Sequence, residues 1–156
     1  MDDPLAPKIA EIASRLGLGD DTFRALNEQD ANVILQHTQD EFLTQPPRAN
    51  WWWEVFREPQ SSIQFQDQRG YERLGQLISS HKEKHWFIAS RMSGFLVYEG
   101  TIDAIQTIIG ECHPIEYYVV SKSYEWLLCE NHHNFLIAVG SSMVEQMDNL
   151  RAELNG

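Results

Sequence analysis

Apolar residues first recur at helical spacing. Ile9, Ile12, Ala13 and Leu16 follow one another at intervals of one turn, with Pro7 ahead and Gly17 behind, which predicts a helix over 7–16. Ala31, Ile34, Leu35 and Phe42 form a second stripe between Asn27, a residue suited to an N-cap, and the pair Pro46-Pro47, which predicts a helix over 28–43. Beyond the prolines the period shortens. Trp51-Trp-Trp-Glu-Val-Phe56 is aromatic and β-favouring, and Ser62-Ile-Gln-Phe-Gln66 alternates as a half-buried strand does. Tyr71, Leu74, Leu77 and Ile78 return to helical spacing. His85–Ala89 and Phe95–Tyr98 then read as two strands around a tight turn at Ser93-Gly94.

Thr101 is placed to cap a short helix whose Ile102, Ile105, Ile108 and Ile109 face inward, with Gly110 as its expected end. Three strands are predicted after it, over 115–120, 125–130 and 135–139. Ser142-Met-Val-Glu145 has the spacing of a capping box opening a C-terminal helix. Helices thus stand between groups of strands and not after every strand. The fold class expected is α+β: a largely antiparallel sheet with helices packed against it and an N-terminal helical pair. No linker divides the 156 residues, so one domain is expected, with 1–47 as a helical sub-layer, 48–140 as the sheet core and 141–156 as a closing helix.

Composition narrows the function. Hydrophobic residues make up 42% of the chain, enough for a buried core and against wholesale disorder. Twelve basic residues stand against twenty-three acidic ones, a formal charge of −11. That charge disfavours nucleic acid and anionic membrane as partners, and favours a protein with a basic surface. The start, MDDPLAPKIAEIA, has neither the basic region nor the apolar run of a secretory signal, and no stretch is long enough for a membrane span. Cys112 and Cys129 are too few for a disulfide framework, so a reducing cytoplasm is the expected location.

Candidate chemistry gathers in Trp126-Leu-Leu-Cys-Glu-Asn-His-His-Asn134. If the last three strands form a meander joined through Ser121–Tyr124, Val120 pairs with Glu125, Glu116 with Cys129 and His113 with His132. Cross-strand neighbours lie about 5 Å apart at Cβ. His113, Glu116, Cys129, Glu130, His132 and His133 would then share one end of the sheet as a candidate pocket. Cys129-x-x-His132 has a ligand-like interval, but a second pair of spaced ligands is missing, so no metal is expected. A thiol nucleophile there would need a lowered pKa, which acidic neighbours oppose. With no Gly-rich phosphate loop, HExxH or GxSxG motif, no cofactor is expected either. Asn131 and Asn134 bracket the two histidines as turn residues do, which predicts a hairpin connection with His132 facing a shallow polar pocket. Trp51, Trp52 and Trp53 cannot share one core pocket and are candidates for a protein interface.

At Glu111-Cys-His-Pro-Ile-Glu-Tyr-Tyr118 and Trp126–Asn134 the chain resembles a family of small bacterial α+β proteins known only as a domain of unknown function, over the region 51–140. The resemblance carries no catalytic residue with it. In size and charge the chain is similar to the immunity partners of toxins. The function expected is a cytoplasmic protein-binding module of immunity or antitoxin type, acting through an acidic, Trp-bearing surface. The alternative is a small enzyme or metal-binding protein using the Cys/His/Glu cluster.

Overall fold

In the computed structural model, which describes residues 4–156, the first stripe folds as α1 (Leu5–Arg15) and buries Ile9 and Ile12. Met1–Asp3, part of the segment read as lacking a secretory signal, lie outside the described residues. Gly17 takes φ +69° after α1, as a helix stop requires. The second stripe is α2 (Glu28–Phe42), and the side chain of Asn27 accepts the Asp30 amide at 2.8 Å, forming the expected N-cap. A strand that the hydrophobic pattern did not show, β1 (Phe23–Ala25), lies between the two helices.

The remaining elements are β2 (Gln60–Gln64), the one-turn helix α3 (Leu74–Leu77), β3 (Lys84–Ser90), β4 (Phe95–Thr101), α4 (Ile102–Cys112), β5 (Tyr117–Val120), β6 (Leu127–Glu130), β7 (Phe135–Val139) and α5 (Ser141–Asn155). Among the described residues the strands form one seven-stranded sheet in the order β1-β4-β3-β5-β6-β7-β2. Every neighbouring pair is antiparallel, so the fold is α+β with helices against an antiparallel sheet.

Both faces of the sheet are covered. Phe87, Ala89, Tyr117, Val119, Leu128 and Leu136 face α1, α3, α4 and α5. Ile88, Val97, Tyr118, Val120, Leu127 and Cys129 face α2 and the segment around Trp52. The N-terminal helices therefore divide between two faces and do not stack on each other. Burial on both sides also explains why β5, and β6 up to Glu130, read as apolar runs without alternation.

Three local expectations change. Trp52–Glu54 is a 3-10 turn and not a strand. At about 120° per residue, such a turn sends Trp52 inward while Trp51 and Trp53 stay at the surface. Gly110 lies inside α4, where a Cβ would come 3.3 Å from the Tyr71 ring; close packing, not a helix end, explains the glycine. The helix stops two residues later, before Pro114, whose ring disfavours helical backbone in the residue ahead of it. Thr101 does cap α4, accepting the Ala104 amide at 3.3 Å. The expected capping box at Ser142 is absent: the cap position of α5 falls two residues earlier, at Gly140, with no side-chain cap.

Candidate functional site

The last three strands form the expected meander, two residues out of the expected register. Val120 pairs with Leu127, Tyr118 with Cys129 and Tyr117 with Glu130. The connection is Lys122–Glu125, closed by the Ser121 amide donating to the Trp126 carbonyl at 3.2 Å. Glu116 therefore stands opposite Asn131 rather than Cys129. A shift of two leaves each side chain on its expected face, because the strand period is two.

Asn131–Asn134 connects β6 to β7, and the two asparagines supply its turn chemistry. The Asn131 Oδ1 accepts the amides of His133 at 3.0 Å and Phe135 at 3.1 Å, and Asn134 takes φ +67°. This places His132 beside the start of β5. Glu116 Oε2 accepts both the His132 amide and a hydrogen bond with its Nδ1, each at 2.9 Å. The second carboxylate oxygen accepts the Trp53 indole N–H at 3.2 Å. Glu116 thus ties together three segments far apart in sequence.

A ring cluster grows on that anchor. Trp53 lies edge-on to His132 at 5.6 Å and to His133 at 5.5 Å between centroids, and Trp51 stands 6.5 Å from Trp53. The Arg48 guanidinium sits 4.9 Å over the Trp51 ring and pairs with Glu54 at 2.7 Å. Trp51 and Trp53 stay half-buried, whereas Trp52 is 1% exposed against Tyr118 and Phe95. The loop cannot swing freely. The Trp52 amide donates to the Tyr118 hydroxyl at 3.2 Å, and that hydroxyl donates to the Asn50 carbonyl at 2.9 Å.

Beside the rings is a cavity of about 350 Å³ whose wall includes His113, Glu116, Glu130 and His132. His113 packs on Tyr71 at 5.2 Å. Glu130 is 4% exposed; Tyr117 donates to its Oε1 at 2.8 Å, and the amides of Gly70 and Tyr71 also serve the carboxylate. Burial raises its pKa to about 7 in spite of those donors. Of the other candidates, His133 sits against Trp53, outside that wall, and Cys129 is buried in the core on the α2 side of the sheet, also outside it. Burial pushes both thiols up, Cys129 well above its ordinary value, so neither is a ready nucleophile. The two thiols are free and lie on opposite faces. Sequence reasoning missed Arg48, Tyr117 and Gly70, for which only the fold supplies the neighbours.

Among the described residues no three His, Cys, Asp or Glu side chains are grouped to hold a metal ion, and no helix is long and apolar enough to cross a membrane. A family described as of unknown function, DUF6756, matches residues 2–151. The chain belongs to that family. The match takes in both N-terminal helices, which the resemblance over 51–140 did not cover. No curated protein and no solved structure matches the chain.

His132 and His133 are surface residues, and the turn holds through Asn131. Replacing both histidines with Asn should therefore change stability by about 1 kcal/mol or less in urea unfolding, with cooperativity kept. A loss several times larger would show that the imidazoles themselves hold the turn.

Proposed function

We propose that the chain is a protein-binding module whose contact surface is the Trp51–Trp53–His132 cluster. The observation that carries this reading is the fixing of two half-buried tryptophans at the surface. Trp53 is held by Glu116 and Trp51 is covered by Arg48. Tryptophan and arginine are the residues most enriched at binding hot spots, and rings already held in place lose little entropy on binding. The charge of −11 favours a cationic partner, whose encounter it would speed. Size and charge together suit an immunity or antitoxin role in a bacterial cytoplasm, blocking a basic partner.

A photo-cross-linking residue introduced at Arg48 would capture the partner in cells for identification by mass spectrometry. With that partner purified, Trp53→Ala should weaken binding by about 2 kcal/mol, roughly 30-fold, while far-UV circular dichroism stays unchanged. Raising salt from low to physiological should slow association far more than it speeds dissociation. A partner indifferent to both Trp51→Ala and Trp53→Ala would sink the proposed surface. An association rate flat in salt would remove the electrostatic part.

A further inference from the structure

At the opposite end of the sheet from the His132 turn, a cavity of about 650 Å³ opens on the helix-rich face. One wall is apolar, formed by Leu77, Ile78, Met143 and the half-buried Trp126. The other joins the start of β3, the Lys122–Glu125 connection and the first turn of α5. Two features there are left incomplete by the fold.

The first is His85. Its side chain forms part of the wall and is 3% exposed, and neither ring nitrogen makes a hydrogen bond of good geometry, the Ser80 backbone offering only a weak one. Burial pushes its pKa below the ordinary 6.5, against smaller upward pulls from the Ser80 backbone and Glu83. A neutral imidazole offers one donor and one acceptor, and buried groups of that kind are normally satisfied by protein, water or ligand. The Trp126 ring packs on it at 5.4 Å, so a small shift of that half-buried ring would open the imidazole to an occupant.

The second is the start of α5. Gly140 gives this fifteen-residue helix no side-chain cap, and its first turn holds no acidic residue. Ser142 and Met143, which carry uncapped first-turn amides, line the cavity. Such amides, with the helix dipole behind them, favour a negative group. The exposed carboxylates in the wall, Glu83 and Glu125, are matched in number by Lys84 and Lys122. The Lys122 ammonium is shared with Glu99 and lies 4.8 Å over the Trp86 ring.

We infer that this cavity binds a small organic acid, a carboxylate carried on an apolar or aromatic body. The carboxylate takes the α5 amides and the imidazole N–H of His85, and the body lies against Leu77, Ile78, Met143 and Trp126. An apolar wall with a few convergent polar groups is the usual composition of a small-molecule site. The site is independent of the Trp51–Trp53 surface.

Phenylacetate is a suitable probe, with phenylacetamide as its uncharged twin and inorganic phosphate as an anion without a body. In two-dimensional NMR, phenylacetate should give saturable shifts in the His85 ring nitrogens, the Trp126 indole N–H and the Ser142 and Met143 amides. Phenylacetamide and phosphate should each bind at least roughly tenfold more weakly. His85→Phe keeps the ring volume and removes the ring nitrogens. It should melt no lower than the wild type and lose phenylacetate binding at least roughly tenfold. Trp53→Ala should bind phenylacetate unchanged, which separates this site from the proposed protein surface. No saturable response, equal binding of either control, or undiminished binding by a folded His85→Phe protein would each overturn the inference. If His85→Phe does not fold, the wild-type shift map decides: shifts centred away from His85 and Trp126 overturn it.

Discussion

Gly140→Ala is expected to lower the urea midpoint of unfolding sharply. Gly140 joins β7 to α5 with φ +99°, a conformation that L side chains rarely adopt. An added Cβ would also lie 2.3 Å from the Glu125 carbonyl oxygen and 3.2 Å from the Trp126 Cα. Both are backbone atoms of the connection that opens β6, so no side chain can turn aside. Strain and overlap together should cost about 3–5 kcal/mol, a large part of the 5–15 kcal/mol typical of a whole domain. Gly94 is the control. It also has positive φ, at +83°, but nothing lies within 4 Å of its Cβ position, so Gly94→Ala should lose only about 1 kcal/mol. Urea unfolding followed by circular dichroism compares the two. Similar midpoints would show that the β5–β6 connection yields easily and that the overlap carries no weight.

The same glycine shows where sequence reasoning stopped. Ser142 and Glu145 have the spacing of a capping box, and spacing is all that a sequence displays. The passage of Glu125 against the helix start is a contact between segments distant along the chain, and it forces glycine into the cap position. Gly110 repeats the point, its reason being the Tyr71 ring packed on α4. Where partners were local, the reading held: Asn27 capping α2, Thr101 capping α4, and Asn131 with Asn134 in the turn.

The site was legible to the same degree. Meander and turn followed from alternation and asparagine chemistry, whereas Glu116 was expected opposite Cys129 and meets His132 in the shifted register. The register slipped because the β5–β6 connection starts one residue later and needs φ +59° at Tyr124, an aromatic residue that gives no turn signal. That conformation is accompanied by the Tyr124 ring stacking on His37 of α2 at 3.6 Å, a contact no local pattern reveals. Likewise, three adjacent tryptophans could not announce a 3-10 turn. Only the Tyr118 hydroxyl, bridging the Trp52 amide and the Asn50 carbonyl, accounts for which ring turns inward.

The second large effect should appear in stability against pH, through Glu130. Its carboxyl, buried beneath the strand-end cavity, titrates at about 7 in the folded protein instead of the ordinary 4.5. Between those values the folded chain holds a proton that the unfolded chain has released. Acid therefore favours folding in this window. Stability should fall as pH rises from about 4.5 to 7 and then level off. A gap of that size corresponds to at most about 3 kcal/mol. His85 works in the opposite sense below 6.5, because its buried ring resists protonation. Comparison with Glu130→Gln cancels that contribution. Glutamine keeps the volume, its amide oxygen can accept from Gly70 and Tyr71, and its NH₂ can donate to a Tyr117 hydroxyl turned to receive it. The variant should gain relative to the wild type by about 2–3 kcal/mol between pH 5 and pH 8 in urea unfolding. A constant difference between the two proteins across that range would show that the carboxyl is ionised throughout, with its three donors outweighing burial.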